Sequence, residues 1–240
     1  LSFGGGVNSV ALYILLEREG VEFEAVFADH GADWPETYEY VAWMNNNGYP
    51  VTVLKTHRDG LSLYDYYWQH RMIPTRMMRH CTDHFKIKPL LAYYEQPYTE
   101  YLGFDAGEAH RAERIRRSNV EAPLVERGID RDGCLDIIRD AGWPMPRKSG
   151  CYLCPFARVS QCEELGQRHP DLLEKAIALE RRCLERLAEK GKPPFYLVDP
   201  LPAEVVAAGK FARRLWRKQQ NGQTNFWGLA DLEQCPYCRL

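Results

Sequence analysis

Three groups of residues in this 240-residue chain have types and spacings that do chemistry. The first is a set of thiols. Cys151 and Cys154 form a C-x2-C pair framed by Gly150 and Pro155, and Cys235 and Cys238 form a second pair near the end of the chain. Thiolates three residues apart can bind one soft metal ion together, or cycle between dithiol and disulfide. The eight cysteines are too sparse for a disulfide scaffold at this length. The pairs therefore point to metal, cluster or redox chemistry in a reducing compartment, and a cytoplasmic location is expected. Cys183, on the apolar side of a helix, reads as a small buried hydrophobe; Cys162 reads equally as that or as a ligand.

The second group is Ser2-Phe3-Gly4-Gly5-Gly6-Val7-Asn8-Ser9, between a strand end and a helix start. Glycines there let backbone N–H groups turn toward an anion, and the helix dipole adds to the attraction. The Ser2 and Ser9 hydroxyls are expected to donate to phosphate oxygens. The spacing is neither a Walker A loop nor a dinucleotide fingerprint, and a tight turn without a ligand would read the same way. The third group is the basic run His110 to Arg117. Arg111 and Arg114 have the planar donors to clamp phosphate or sulfate, or else pair with Glu108 and Glu113 on a solvated helix face. A later basic stretch with Lys210, Arg213, Arg214, Arg217 and Lys218, together with Trp216, reads mainly as a solvated amphipathic helix, with polynucleotide contact as the alternative. The histidines show no metal-ligand spacing.

The elements that must position these groups follow from periodicity. Residues 1–6 read as a strand end entering a glycine turn, and residues 7–19 as a helix stopped by Gly20. Val21 to Asp29 reads as a strand. Asp33-Trp34-Pro35-Glu36 reads as a helix start with Asp33 as N-cap, and Val51 to Leu54 as a third strand. The order β-α-β-α-β predicts an α/β fold with a parallel sheet. Gly60 to His80 has no clean period and reads as a loop; Thr82 or Asp83 starts a helix tightened near Pro89. Thr99 to Phe104 reads as a strand, Asp130 to Ala141 as a capped amphipathic helix, and residues 160–168, 171–190 and 202–219 as helices. The division expected is a core over residues 1–125 and a helical, cysteine-bearing region over 126–240, either separate or packed as one domain with the core. With 31 Lys+Arg against 33 Asp+Glu, there is no chain-wide basic field for nucleic acid. No apolar run approaches the roughly 18–20 residues of a membrane span. The chain opens on Leu1 in a strand already under way, so sequence before it is expected.

The glycine segment resembles the pyrophosphate-binding loop of the PP-loop (adenine nucleotide alpha-hydrolase-like) superfamily. It is closest to the S-F-S-G-G-K-D-S form of the PAPS reductase-like family, with Ser2, Phe3, Gly5, Gly6 and Ser9 matching. Gly4 stands in place of Ser, Val7 in place of Lys and Asn8 in place of Asp. Cys81 to Leu90 resembles that family's C-C-x-x-R-K-x-x-P-L segment through Cys81, Lys86 and Pro89. Gly103, Glu108 and Arg111 resemble its G-x-R-x-x-E-S-x-x-R segment, and Cys151 to Pro155 its C-x-x-C-P loop. The resemblance implies a doubly wound, mostly parallel sheet with a helical C-terminal extension. It implies a nucleotide site formed by Ser2, Phe3, Gly4, Gly5, Gly6, Asn8, Ser9, Asp29, Gly103 and Glu108, taking ATP or a sulfonucleotide (PAPS or APS), with Mg2+ as companion of the phosphates.

It also implies a [4Fe–4S] cluster on Cys81, Cys151, Cys154 and a fourth thiol, Cys134 or Cys162, with zinc as the alternative metal. Lys86 and Arg111 would offset charge at the α-phosphate. The activity implied is sulfur transfer through ATP-dependent adenylation, with a sulfur or electron donor protein and a nucleic acid or nucleobase as acceptor. The alternatives are a reductase with Cys238 as nucleophile, or a non-catalytic metal-stabilised binding module.

Overall fold

The computed structural model describes residues 1–115, 117–147, 149–198 and 201–220. The chain is α/β and falls into two compact units. The first comprises residues 1–64 and 80–151, and the second residues 65–79 and those from 152 onward.

In the first unit, β1 (Ser2–Phe3) leads into α1 (Val7–Arg18), and β2 (Ala25–Asp29) is followed by α2 (Pro35–Asn46) and β3 (Val51–Lys55). The three strands form a parallel sheet in the order β1-β2-β3, with Phe3 beside Phe27 and Phe27 beside Val53. Strand β2 is the unbroken apolar run AVFA because both of its faces are covered. Ala25 and Phe27 join a core with Phe3, Val51 and residues of α1 and α2, while Val26 and Ala28 pack with Leu90 in a separate cluster. Leu90 belongs to α5 (Lys88–Tyr93), which follows α3 (Leu63–Gln69), α4 (His80–Thr82) and a π-helical turn at Asp83–Ile87.

The π turn has a local cause. Pro89 lacks the N–H that the Phe85 carbonyl would receive in a regular helix. The Thr56 hydroxyl donates to that carbonyl at 2.8 Å.

The chain continues through β4 (Glu100–Tyr101), a 3-10 turn at Ala106–Glu108, α6 (Ala109–Ala112), β5 (Val120–Glu121), α7 (Pro123–Glu126) and α8 (Arg131–Asp140). Strands β4 and β5 pair in parallel, and one parallel bridge joins Ser2 to Leu102, just past β4. Asp130 caps α8 as the sequence indicates, accepting the Gly133 N–H at 2.9 Å.

Residues 126–151, expected in the helical C-terminal region, pack within the first unit. Cys134 and Ile138 of α8 are fully buried in the same core as Leu12 and Leu16 of α1. Trp143 stacks on Tyr49 with centroids 4.1 Å apart and meets Trp43 at 5.5 Å. These contacts tie α8 to the first unit. Two helix starts also differ from expectation. Helix α2 begins after Trp34 with no side-chain cap, because the Asp33 carboxylate is turned inward toward His30. Part of the segment expected as a loop, Leu63–Gln69, is helical.

The second unit is built on α9 (Val159–Arg168), α10 (Pro170–Glu189), α11 (Ala203–Ala207) and α12 (Gly209–Gln220). The helix expected over 202–219 is thus two helices. Leu173, Ala176, Leu179 and Leu187 of α10 are buried, as are Leu165 of α9 and Val206 of α11. Glu180 is buried among them. Its carboxylate accepts the Leu197 and Ala203 N–H groups, both at 2.7 Å. Burial pushes its pKa from 4.5 up to about 7, opposed by those two N–H bonds and reinforced by Glu204.

An acid with a raised folded-state pKa contributes stability that is complete below about pH 4.5 and lost as the pH rises through about 7. Urea unfolding at pH 5 and 7.5 should therefore show wild-type stability falling with pH, by at most on the order of 3 kcal/mol from this group. Glu180→Gln should start lower, because one N–H loses its acceptor, and should show a flatter pH dependence.

Candidate phosphate-binding cleft

A cleft of about 340 Å³ opens at the carboxyl end of β1. It is lined by Ser2, Gly4, Gly6 to Ser9, Leu102 to Phe104, Arg111, Arg131 and Ser149. Six of the residues expected at a nucleotide site (Ser2, Gly4, Gly6, Asn8, Ser9 and Gly103) thus share one concavity, together with Arg111. Its size lies at the lower end of the range for small-molecule sites. A larger cavity of about 640 Å³ lies at the amino ends of the strands, lined in part by Glu22, Glu24, Glu95 and Glu100. Its carboxylates would repel a phosphate.

The glycines have separate reasons. Gly5 has φ +68°, and a Cβ there would meet Thr37 Cγ2 at 2.7 Å. A Cβ on Gly103 would meet Ser9 Cα and N at 3.0 Å, backbone against backbone. Glycine at 103 therefore sets how closely the end of β4 approaches the first turn of α1. The first intrahelical bond of α1 runs from Val10 N–H to Gly6 O at 3.0 Å. The N–H groups of Val7, Asn8 and Ser9 precede it at the positive end of the helix.

The serines have other work than phosphate donation. Ser2 Oγ donates to Glu100 at 2.6 Å, and Arg117 donates to the same carboxylate at 2.5 Å. Ser9 Oγ accepts the Gly6 N–H at 3.1 Å and donates to Gly6 O at 2.9 Å, closing the start of the helix. Phe3 is a core residue, edge-on to Tyr13. Asp29 does not line the cleft; its Oδ1 accepts the Gly31 N–H at 2.8 Å and the Tyr38 hydroxyl at 2.9 Å.

A polar network crosses one side of the cleft. Asn8 Nδ2 donates to Asp105 Oδ2 at 2.9 Å and to Glu108 Oε2 at 3.2 Å. Glu108 also pairs with Arg111, whose guanidinium lies 4.5 Å from the Phe104 ring centroid. Arg131 Nη1 donates to Asn8 Oδ1 at 2.8 Å. Sequence reasoning found Asn8, Glu108 and Arg111 but missed Arg131 and Asp105. One signal for Arg131 was readable: it is a cation in the first turn of a helix, where the dipole disfavours positive charge.

Lys86 is in a different place. Its Nζ lies 4.0 Å from Asp33 Oδ1, and Asp33 Oδ2 lies 3.4 Å from His30 Nε2. His30 Nδ1 accepts the Ala32 N–H at 3.2 Å, which leaves the ring proton on Nε2, facing Asp33. Burial lowers the His30 pKa, so the ring is neutral near pH 7. Cys151 is beside this group through its backbone bridge with Asp33.

The thiols expected as cluster ligands come from different elements of the chain. Among the described residues, no three His, Cys, Asp or Glu side chains are grouped to hold a metal ion. Cys134, a candidate fourth ligand, is a core residue whose thiol is pushed up to about 11 by burial and then by Asp105. Cys81 and Cys151 belong to the first unit, and Cys154 to the second. Cys162 is buried in α9, with its thiol raised to about 11 by burial, Glu180 and Cys154. Cys235 and Cys238 lie outside the described residues.

The comparisons with known proteins add relatives and no activity. Two uncharacterised proteins of Methanocaldococcus jannaschii are similar to this chain. One is 26% identical over a 202-residue alignment that takes in 75% of this chain and 47% of the relative. The other is 21% identical over 211 residues, 78% of this chain and 42% of the relative. The chain therefore spans less than half the length of these relatives. No family model matches it, and no solved structure matches it.

The close approach at Gly103 is testable. Gly103→Ala should force β4 away from α1 and lower the unfolding free energy by about 1–3 kcal/mol, the usual cost of overpacking. Urea titration of the variant checks this; an unchanged midpoint would show that the approach is not tight.

Proposed function

We propose that the first unit binds the phosphates of an adenine nucleotide in the cleft at the end of β1, and that the protein uses ATP to adenylate an acceptor. The observation that carries the phosphate part is the cleft's position. The Ser2–Leu102 bridge sets β4 beside β1, on the side away from β2. Taken as one sheet, the strands run β3-β2-β1-β4-β5. The chain winds outward from β1 in one direction through β3, then returns to wind in the other. With α1 and α2 against one face of β2 and α5 against the other, this supports a doubly wound arrangement. In such sheets ligands sit outside the carboxyl ends of the strands where the winding reverses. Here that point lies between β1 and β4, whose ends both line the cleft.

The adenine part rests on the resemblance of the glycine loop to PP-loop proteins. In the reaction proposed, an acceptor oxygen forms a bond to the α-phosphorus. The P–O bond to the β-phosphate breaks, and pyrophosphate leaves with the electron pair. Amides of the α1 start and the Arg111 guanidinium would hold that pyrophosphate as its charge grows. Sulfur as the group that follows, and a nucleobase or nucleic acid as acceptor, rest on the resemblance alone, and no step is drawn through an iron–sulfur cluster. The reductase alternative depends on Cys238, and no geometry favours it.

Calorimetric titration of the chain with Mg-ATP and with inorganic pyrophosphate tests the reading. Both ligands should bind and compete, and each should raise the melting temperature; a ligand at 100 times its Kd adds about 2.7 kcal/mol. If neither ligand gives heat or a melting shift at millimolar concentration, the proposal fails.

A further inference from the structure

Arg131 belongs to no glycine loop, and its one sequence signal is its place at the start of a helix. It occupies the first position of α8, the end of a helix where a cation is electrostatically least favoured. Its side chain is nonetheless held over the cleft, bonded to Asn8 Oδ1 at 2.8 Å. Asn8 is the piece that makes this arrangement work. The side-chain amide donates with Nδ2 to two carboxylates, Asp105 and Glu108, and accepts with Oδ1 from one guanidinium. The chemistry of these partners fixes which way the amide points. An aspartate here would set a third carboxylate against Asp105 and Glu108 and add negative charge at the cleft wall.

We infer that Arg131, aimed by Asn8, is an anion-gripping residue of this cleft, so that Arg131 and Arg111 together select a diphosphate or longer polyphosphate over a single phosphate or sulfate. This inference rests on the phosphate reading above and goes beyond it by naming a second guanidinium, from α8, as a residue that reads the anion. The two guanidinium groups arise from different elements, α8 and α6, and both line the one cleft of about 340 Å³. Arg111 is braced by Glu108 and by the Phe104 ring, and Arg131 by Asn8. Each brace leaves planar N–H donors for a second acceptor. One orthophosphate or sulfate presents a single tetrahedron of oxygens, whereas pyrophosphate presents two linked tetrahedra, one for each guanidinium. The loop itself carries no Lys or Arg between Ser2 and Ser9. Arg131 therefore supplies, from α8, side-chain positive charge that the glycine segment lacks.

The test uses inorganic pyrophosphate and orthophosphate as probes on the full chain. Wild-type protein should bind pyrophosphate more tightly than orthophosphate. Arg131→Gln should weaken pyrophosphate binding about ten- to hundredfold, the worth of one charge-assisted contact, and change orthophosphate binding far less. Arg131→Lys should recover part of the loss. Asn8→Asp should also lose pyrophosphate affinity, although its carboxylate still accepts from Arg131. Because Arg131 is exposed, the Gln variant should melt with the wild type, which separates lost binding from lost folding. If Arg131→Gln binds pyrophosphate as wild type does, the inference is overturned while the phosphate reading stands. If the wild-type chain binds no pyrophosphate, both fall together.

Discussion

The candidate site depends on how closely the end of β4 approaches the start of α1. Gly103 lies against the backbone of Asn8 and Ser9, where a Cβ would come within 3.0 to 3.1 Å. That contact brings Leu102, Gly103 and Phe104 to the lip of the glycine turn. It also carries the segment after β4 to where Asp105 and Glu108 can reach Asn8. The Ser2–Leu102 bridge holds the same approach from within the sheet. Helix α8 arrives from the other side because its buried face packs against α1 in the core, which sets Arg131 beside Asn8. Core packing and site geometry are therefore one arrangement: moving α8 would move a cleft cation.

A second polar centre in the first unit is built on a different principle. His30 and Asp33 are buried after β2, with Lys86 at 4.0 Å from the carboxylate and Cys151 joined by a backbone bridge. Desolvation lowers the His30 pKa, and Lys86 brings a positive charge to 4.0 Å from the Asp33 carboxylate. The Asp33 carboxylate does not cap α2; it is turned inward, with Oδ2 3.4 Å from His30 Nε2 and Oδ1 4.0 Å from Lys86. Lys86 and Arg111, assigned one shared role by resemblance, are thus parts of separate groups, one at the π-helical turn and one in the cleft wall.

Much of the fold was legible because it is written locally. The glycine turn, the apolar run of β2, the Asp130 cap and the amphipathic α10 all declare themselves within a dozen residues. What sequence reasoning missed was decided by distant partners. The edge of the first unit lies beyond residue 125 because Trp143 packs on Tyr49 and Trp43, a contact no local pattern reveals. Cys134 reads as a ligand candidate from its spacing to Cys151, yet its environment is set by α1. The hydroxyls of Ser2 and Ser9 are at the expected positions but are used by Glu100 and Gly6. At the candidate site, the glycine turn was readable from local pattern, whereas the placement of Arg131 over it depends on how α8 packs against α1.

The most direct measurement is a map of backbone amide chemical shifts as inorganic pyrophosphate is added to the chain. The account predicts that the largest changes fall on Gly4 to Ser9, with Gly103 and Arg131 moving alongside them. Perturbation centred instead on the tyrosine- and glutamate-lined cavity at the opposite strand ends, or no perturbation at all, would contradict it.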